Sequence, residues 1–135
     1  MAEYTKPLPV PSPESGPFWQ AARQHRLAIQ KCNECGGTWF PPSTVCRHCG
    51  ARNVRWIDAV GRGKVHSFVV FNRLYHEGWE GELPYVVAIV ELAEGARMLG
   101  NIVGVDVEKV VCDMPVAVVF DDVTPDVTIP KFTPA

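Results

Sequence analysis

Two cysteine pairs carry the clearest chemistry in this sequence. Cys32-Asn33-Glu34-Cys35-Gly36 and Cys46-Arg47-His48-Cys49-Gly50 are separated by ten residues. Each Cys-x-x-Cys turn can grip one metal ion, and two such turns complete a tetrahedral thiolate shell. The glycine after each second cysteine allows the left-handed backbone that turns amide groups back toward the sulfurs. Zn2+ is the expected metal, because four thiolates in a tetrahedron are its common structural arrangement. Iron is the main rival. Two disulfides or four buried free thiols are the alternatives without metal, and the paired spacing disfavours both. A closed four-cysteine shell leaves no open position for water or substrate, so catalysis has to be sought elsewhere.

The rest of the chain offers no catalytic set. Cys112 is followed by Asp113, and a neighbouring carboxylate disfavours the thiolate that a nucleophile needs, so a structural, buried cysteine is expected. His25, His48, His66 and His76 are scattered, and no nucleophile and base can be paired from their positions. The segment 74–83 sets Tyr75 and Trp79 among glycines and charges, where they could anchor a ligand or partner.

The positioning elements follow from pattern. Pro7, Pro9, Pro11, Pro13 and Pro17 forbid regular structure at the start and predict an extended, mobile arm. A short helix is expected over residues 18–25, with Ser15 as its cap and Phe18, Trp19 and Ala22 on one face. It is too short to stand alone: Phe18 and Trp19 either cover the barrel's end or dock in a partner's groove, and the proline arm before them favours the partner. Residues 27–31 alternate as a strand entering the first cysteine turn. Strands are expected over 63–73, 85–92, 96–103, 116–121 and 127–132. Glu94-Gly95 joins the second and third as a hairpin. A bulge or sharp bend is expected at Gly61 and Gly63. About five short strands are too few for a sandwich and fit a Greek-key barrel of OB type. The expected class is mainly β, with an arm and docking helix over 1–26, a metal ribbon over 27–56 and a barrel over 57–135.

Charge narrows the possible functions. The formal net charge is -2. Residues 1–56 carry seven Lys/Arg against three Asp/Glu, and residues 57–135 carry six against twelve. An acidic barrel repels a phosphate backbone, which weighs against single-stranded nucleic-acid binding, the alternative that such folds bring to mind. No apolar run approaches the roughly 18 residues of a membrane span. The start lacks a signal-peptide pattern, and metal-spaced cysteines suit a reducing cytoplasm.

The order of motifs resembles a known family. A Phe18-Trp19 helix precedes Cys32-x-x-Cys35-Gly36, Phe40-Pro41-Pro42 and Cys46-x-x-Cys49-Gly50. Gly61-Arg62-Gly63-Lys64-Val65, Pro84-Tyr85-Val86-Val87 and Met114-Pro115-Val116 follow. Over residues 17–132 this is similar to the domain-of-unknown-function-35 family, a rubredoxin-like zinc ribbon joined to an OB-fold. The resemblance implies a non-catalytic accessory subunit that binds acyl-CoA and completes a thiolase-fold enzyme. That enzyme's reaction would be acyl-CoA condensation, C-acyl transfer or retro-aldol cleavage of a thioester. Some relatives work instead with hot-dog-fold hydratases. Arg23, Arg26, Lys31, Arg47, Arg52 and Arg55 could supply positive charge for the nucleotide phosphates.

Overall fold

A computed structural model describes residues 4–135. Its elements are α1 (Gly16–Arg23), β1 (Ala28–Cys32), β2 (Thr38–Trp39), β3 (Val54–Asp58) and β4 (Arg62–Phe71). β5 (Tyr85–Leu92), β6 (Arg97–Ile102), β7 (Pro115–Asp122) and β8 (Thr128–Pro134) complete it, with short 3-10 turns at Glu77–Trp79 and Val107–Lys109. The ribbon is a three-stranded sheet in the order β2-β1-β3. The last five strands close a barrel in the order β4-β5-β6-β8-β7, the Greek-key arrangement of an OB-fold.

Local chemistry accounts for most boundaries. Glu94-Gly95 makes the expected hairpin of β5 and β6, with Gly95 at φ +99° and Glu91 opposite Arg97. Two short elements, β2 and β3, escaped sequence reading. β3 pairs with β1 from Cys32↔Val54 to Ala28↔Asp58, so the ribbon sheet runs two residues past Trp56. The sharp bend expected at Gly61 and Gly63 falls on Gly61, at φ +79°, and no bulge forms at Gly63. Gly63 pairs regularly with Leu92 and Val116, and the register shift lies between Val65 and Ser67, at His66.

The helix ends differ from expectation at one side. Ser15 has a helical backbone (φ -92°, ψ -12°), and its hydroxyl oxygen accepts from the Ser12 amide at 2.8 Å. It therefore does not cap the helix with its side chain, and Pro17 starts the helix by fixing φ instead. At the other end His25 takes φ +58°, a position usually held by glycine. The His25 amide donates to Ala22 O and the Arg26 amide to Ala21 O, both at 2.9 Å, which closes the last turn.

The arm is docked, contrary to the mobile arm expected. Lys6 Nζ lies 2.8 Å from Glu82 Oε1 and 5.3 Å from the centre of the Trp79 ring. Its side chain is 14% exposed. The buried Gly78 leaves room for this strap, since a Cβ there would sit 2.9 Å from Lys6 Cα and Thr5 O. The arm's first three residues lie outside the described residues.

One core joins helix, ribbon and barrel. It contains Phe18, Leu27 and Ile29 together with Val65, Val86, Val90, Val116 and Phe132. Phe18 is 3% exposed and packs at 5.1 Å from Phe40, so it faces this chain's own interior and is not a free docking residue. Trp19 stays half-buried beside it. Phe18→Ala should cost about 3–4 kcal/mol by removing a buried ring that bridges the elements. Urea unfolding measures it, and a loss under about 1 kcal/mol would restore the docking role.

Candidate metal centre

The ribbon builds the centre twice over. In the first turn Cys32 N–H donates to Gly37 O at 2.9 Å and Gly36 N–H to Cys32 O at 3.0 Å. In the second, Cys46 N–H donates to Ala51 O at 2.8 Å and Gly50 N–H to Cys46 O at 3.0 Å. Gly36 and Gly50 hold φ +77° and +78°, the left-handed backbone that their side-chain-free Cα permits. The two knuckles are thus near copies, brought face to face by the β1–β2 and β1–β3 pairings.

Their four sulfurs converge. All Sγ atoms of Cys32, Cys35, Cys46 and Cys49 lie within 4.8 Å of one another. Cys32 and Cys49 are 3.7 Å apart and Cys35 and Cys46 3.6 Å, too long for disulfides. Backbone amides aim at them: Glu34 and Cys35 at Cys32 Sγ, His48 and Cys49 at Cys46 Sγ, all between 3.2 and 3.4 Å. Cys32 and Cys46 are buried, whereas Cys35 and Cys49 reach the surface.

Ionisation shows what the shell lacks by itself. Burial raises the Cys46 thiol, but amide donation from Cys49 and His48 outweighs it and brings the group down to about 6. The Ala51 amide lowers Cys49, yet burial and the neighbouring Cys32, Cys35 and Cys46 sulfurs push it up to about 12. The Gly37 amide lowers Cys35, and burial with the Cys46 and Cys32 sulfurs leaves it raised. Adjacent thiolates repel, so full ionisation requires a cation among them. A tetrahedral, sulfur-only donor set with amide donors behind it fits a structural divalent ion.

His48 is no ligand. Its Nε2 contacts Thr38 O at 2.8 Å, donating there and holding the second knuckle against β2. Sequence reading missed this bracing role, and the small Gly37 facing the His48 ring was its one visible sign. Thr38 Oγ1 donates to Glu94 O at 2.9 Å, and Glu94 Oε2 accepts from the Val60 amide at 2.9 Å. These two bonds fasten the ribbon to the β5–β6 turn.

The other candidates are spread over the surface. Cys112 is exposed in the turn before β7, which corrects its expected burial. Tyr75 is 70% exposed. Trp79 is half-buried, stacked on Tyr85 at 5.8 Å and covered by Lys6. Of the arginines offered for phosphates, Arg26 pairs with Asp58 at 2.6 Å and Arg55 donates to Asn33 at 2.8 Å.

One polar cluster looks catalytic and is not. His25 Nε2 lies 3.0 Å from both Asp122 carboxylate oxygens, and Thr128 Oγ1 donates to Asp122 Oδ1 at 2.5 Å. Imidazole and hydroxyl both address one carboxylate, so the imidazole does not face the hydroxyl and the set lacks the order of a nucleophile–imidazole–carboxylate relay. The His25 ring also stacks on Phe120 at 5.2 Å. The set clasps the end of α1 to β7. The Thr128 hydroxyl first, and then the His25 ring, hold the Asp122 carboxyl below its ordinary range. A depressed carboxyl stabilises the fold above its unfolded pKa and loses that contribution as acid carries it through the folded value. The stability gap between the wild type and Asp122→Asn should therefore be constant down to about pH 4 and close below it. Urea midpoints across that range measure the gap, and one that widens in acid would refute the clasp.

Comparison with known proteins agrees with this geometry. Residues 19–55 match the family model described as the ChsH2 rubredoxin-like zinc ribbon domain. Residues 56–121 match the ChsH2 C-terminal OB-fold domain. A "Probable enoyl-CoA hydratase alpha subunit" of Thermomonospora curvata is 38% identical over 96% of this chain, which spans only 40% of that protein's length. A "DUF35 domain-containing scaffold protein" of Methanothermobacter thermautotrophicus is 35% identical over 73% of this chain and 74% of its own. Among solved structures, a chain of the "Ltp2-ChsH2(DUF35) aldolase" is 37% identical with a TM-score of 0.84. The match covers 94% of this chain and 98% of that one. With both halves of the fold matched in order and all four cysteines placed for metal, the chain belongs to the DUF35 family of zinc-ribbon and OB-fold proteins.

Proposed function

We propose that this chain is a non-catalytic accessory subunit. It holds one structural zinc ion, binds acyl-CoA and assembles with a thiolase-fold enzyme in the cytoplasm. The partner carries out acyl-CoA condensation, C-acyl transfer or retro-aldol cleavage of a thioester. The observation that carries this reading is the match to a chain of the "Ltp2-ChsH2(DUF35) aldolase", which covers 94% of this chain and 98% of that one. Site chemistry supports it from the other side. A closed thiolate shell supplies no open position for a substrate oxygen, and the His25 ring addresses the Asp122 carboxylate and not the Thr128 hydroxyl. No helix among the described residues is long and apolar enough to cross a membrane.

The second partner to test is a hot-dog-fold hydratase, because two relatives are named as hydratase alpha subunits. This chain spans 40% and 36% of their lengths. The test is purification of the chain alone and together with a thiolase-fold enzyme from the same organism. Complex formation, about one zinc per chain and thioester turnover only by the complex are the expected results. Turnover by the single chain would overturn the accessory reading. Salt-dependent retention of oligonucleotides, without any enzyme partner, would move the chain to nucleic-acid binding.

A further inference from the structure

The outward face of β4, β5 and β6 departs from an ordinary solvated sheet. Alternate β5 residues point out of the barrel, and two of them are Val87 and Ile89. In register beside them stand Val69 (↔Val87) and Leu99 (↔Ile89), 55% and 64% exposed. From strand spacing and rise, the strip measures roughly 15 by 20 Å. That is roughly the area at which the largest apolar patch of a monomer is often functional. The sequence carried a sign of it: Tyr85-Val86-Val87-Ala88-Ile89-Val90 is apolar at every position, which means a strand covered on both faces.

Its relief suits protein side chains better than a small molecule. Leu99 borders three hollows of about 400, 280 and 220 Å³, and Phe40 of the ribbon borders the larger two. All three hollows are about half open to solvent, with Leu99 exposed between them, whereas small-molecule sites bury most of their ligand. Phe71 and Tyr85, also in register, extend the strip as stacked rings 5.1 Å apart, and Trp79 stacks on Tyr85. At the other end Lys64 and Arg97 share the single carboxylate of Glu91, at 3.6 and 3.4 Å, and Lys64 lies 3.8 Å from Asp113. Both cations are about half exposed and keep capacity for another carboxylate. An apolar centre with aromatic anchors and a charged rim is the anatomy of a protein interface.

We propose that this face docks the partner subunit. The partner element presents apolar side chains around Leu99 and an acidic group to Lys64 and Arg97. The proposal rests on the accessory-subunit reading above and names the surface that such a subunit uses. The test titrates a purified thiolase-fold enzyme from the same organism with wild type, Leu99→Glu, Arg97→Glu and Val111→Glu. Val111 is 56% exposed and lies outside the strip. Leu99→Glu should weaken binding at least about 100-fold and Arg97→Glu about 10-fold. Val111→Glu should bind within about twofold of wild type, it and Leu99→Glu should melt with wild type, and Arg97→Glu, which sets a like charge opposite Glu91, should melt slightly lower but stay folded in the assay. Unchanged binding by Leu99→Glu and Arg97→Glu would overturn the surface while the accessory reading stands. Failure of the wild type to bind would overturn both. Self-association by light scattering that Leu99→Glu abolishes would assign the face to a second copy of the chain and overturn the proposal.

Discussion

Replacing Cys32 with serine should empty the metal site and unfold the ribbon. Cys32 is 1% exposed, ends β1 and pairs with Val54 on β3, so its sulfur sits where the two knuckles and the sheet meet. Two amides already address that sulfur, and a serine hydroxyl is a poor ligand for a metal held by thiolates. The local core cannot compensate. Its buried members are Cys32, Trp39 and Cys46 alone, with Ala51 and Val54 at the edge. Structural zinc contributes about 10–16 kcal/mol in small peptide modules, comparable with the whole stability of an ordinary domain, about 5–15 kcal/mol. Metal content should fall from about one per chain to under about a tenth. The melting temperature should fall with it, because Leu27 and Ile29 pass the loss from the ribbon to the barrel core. Cys112→Ser is the control and should change neither quantity, since Cys112 is exposed and lies outside the sulfur cluster. Elemental analysis and thermal unfolding check both variants. Full metal retention by Cys32→Ser would refute the four-ligand shell.

The cysteine turns were legible because their chemistry is local: ligand, spacing and left-handed glycine are all encoded within five residues. The β5–β6 hairpin was legible for the same reason, through Glu94-Gly95 and strand alternation on either side. What failed was information of longer range. A helix face states that Phe18 is buried but not by what, and the answer was Phe40 and the chain's own core. Prolines exclude a helix but do not exclude docking, and Lys6 fastened the arm through a partner 76 residues away. Thr38–Trp39 is too short for any period to show. Gly61 makes the expected bend and Gly63 does not, because glycine can serve two needs, a bend or a close approach of backbones, and sequence does not separate them.

Gly63 shows which need applied, and Gly63→Ala should be the most damaging single methyl addition in the barrel. A Cβ at Gly63 would collide with Glu91 O and lie 3.0 Å from Glu91 C and 3.1 Å from Leu92 Cα. These are backbone atoms, so no rotamer change relieves the contact. β5 has little freedom to retreat, because Glu91 pairs on its far side with Arg97 of β6. β4 has little freedom either. Its pairing with β7 consists of Arg62↔Ala117, Gly63↔Val116 and Lys64↔Pro115, and this short seam closes the barrel. Pro115 brings no amide hydrogen to it. The added methyl therefore forces apart either the β4–β5 ladder or the closing seam. The expected loss is about 3 kcal/mol, the upper part of the overpacking range. Gly61→Ala provides the comparison. It meets Val118 Cγ1 at 2.5 Å, a side-chain atom that can turn away, and otherwise carries only the penalty of φ +79°. That penalty is about 1–2 kcal/mol. Urea unfolding of both variants should rank Gly63→Ala as the weaker protein. The reverse order would mean that backbone conformation at the bend, and not the close approach at the seam, controls closure of the barrel.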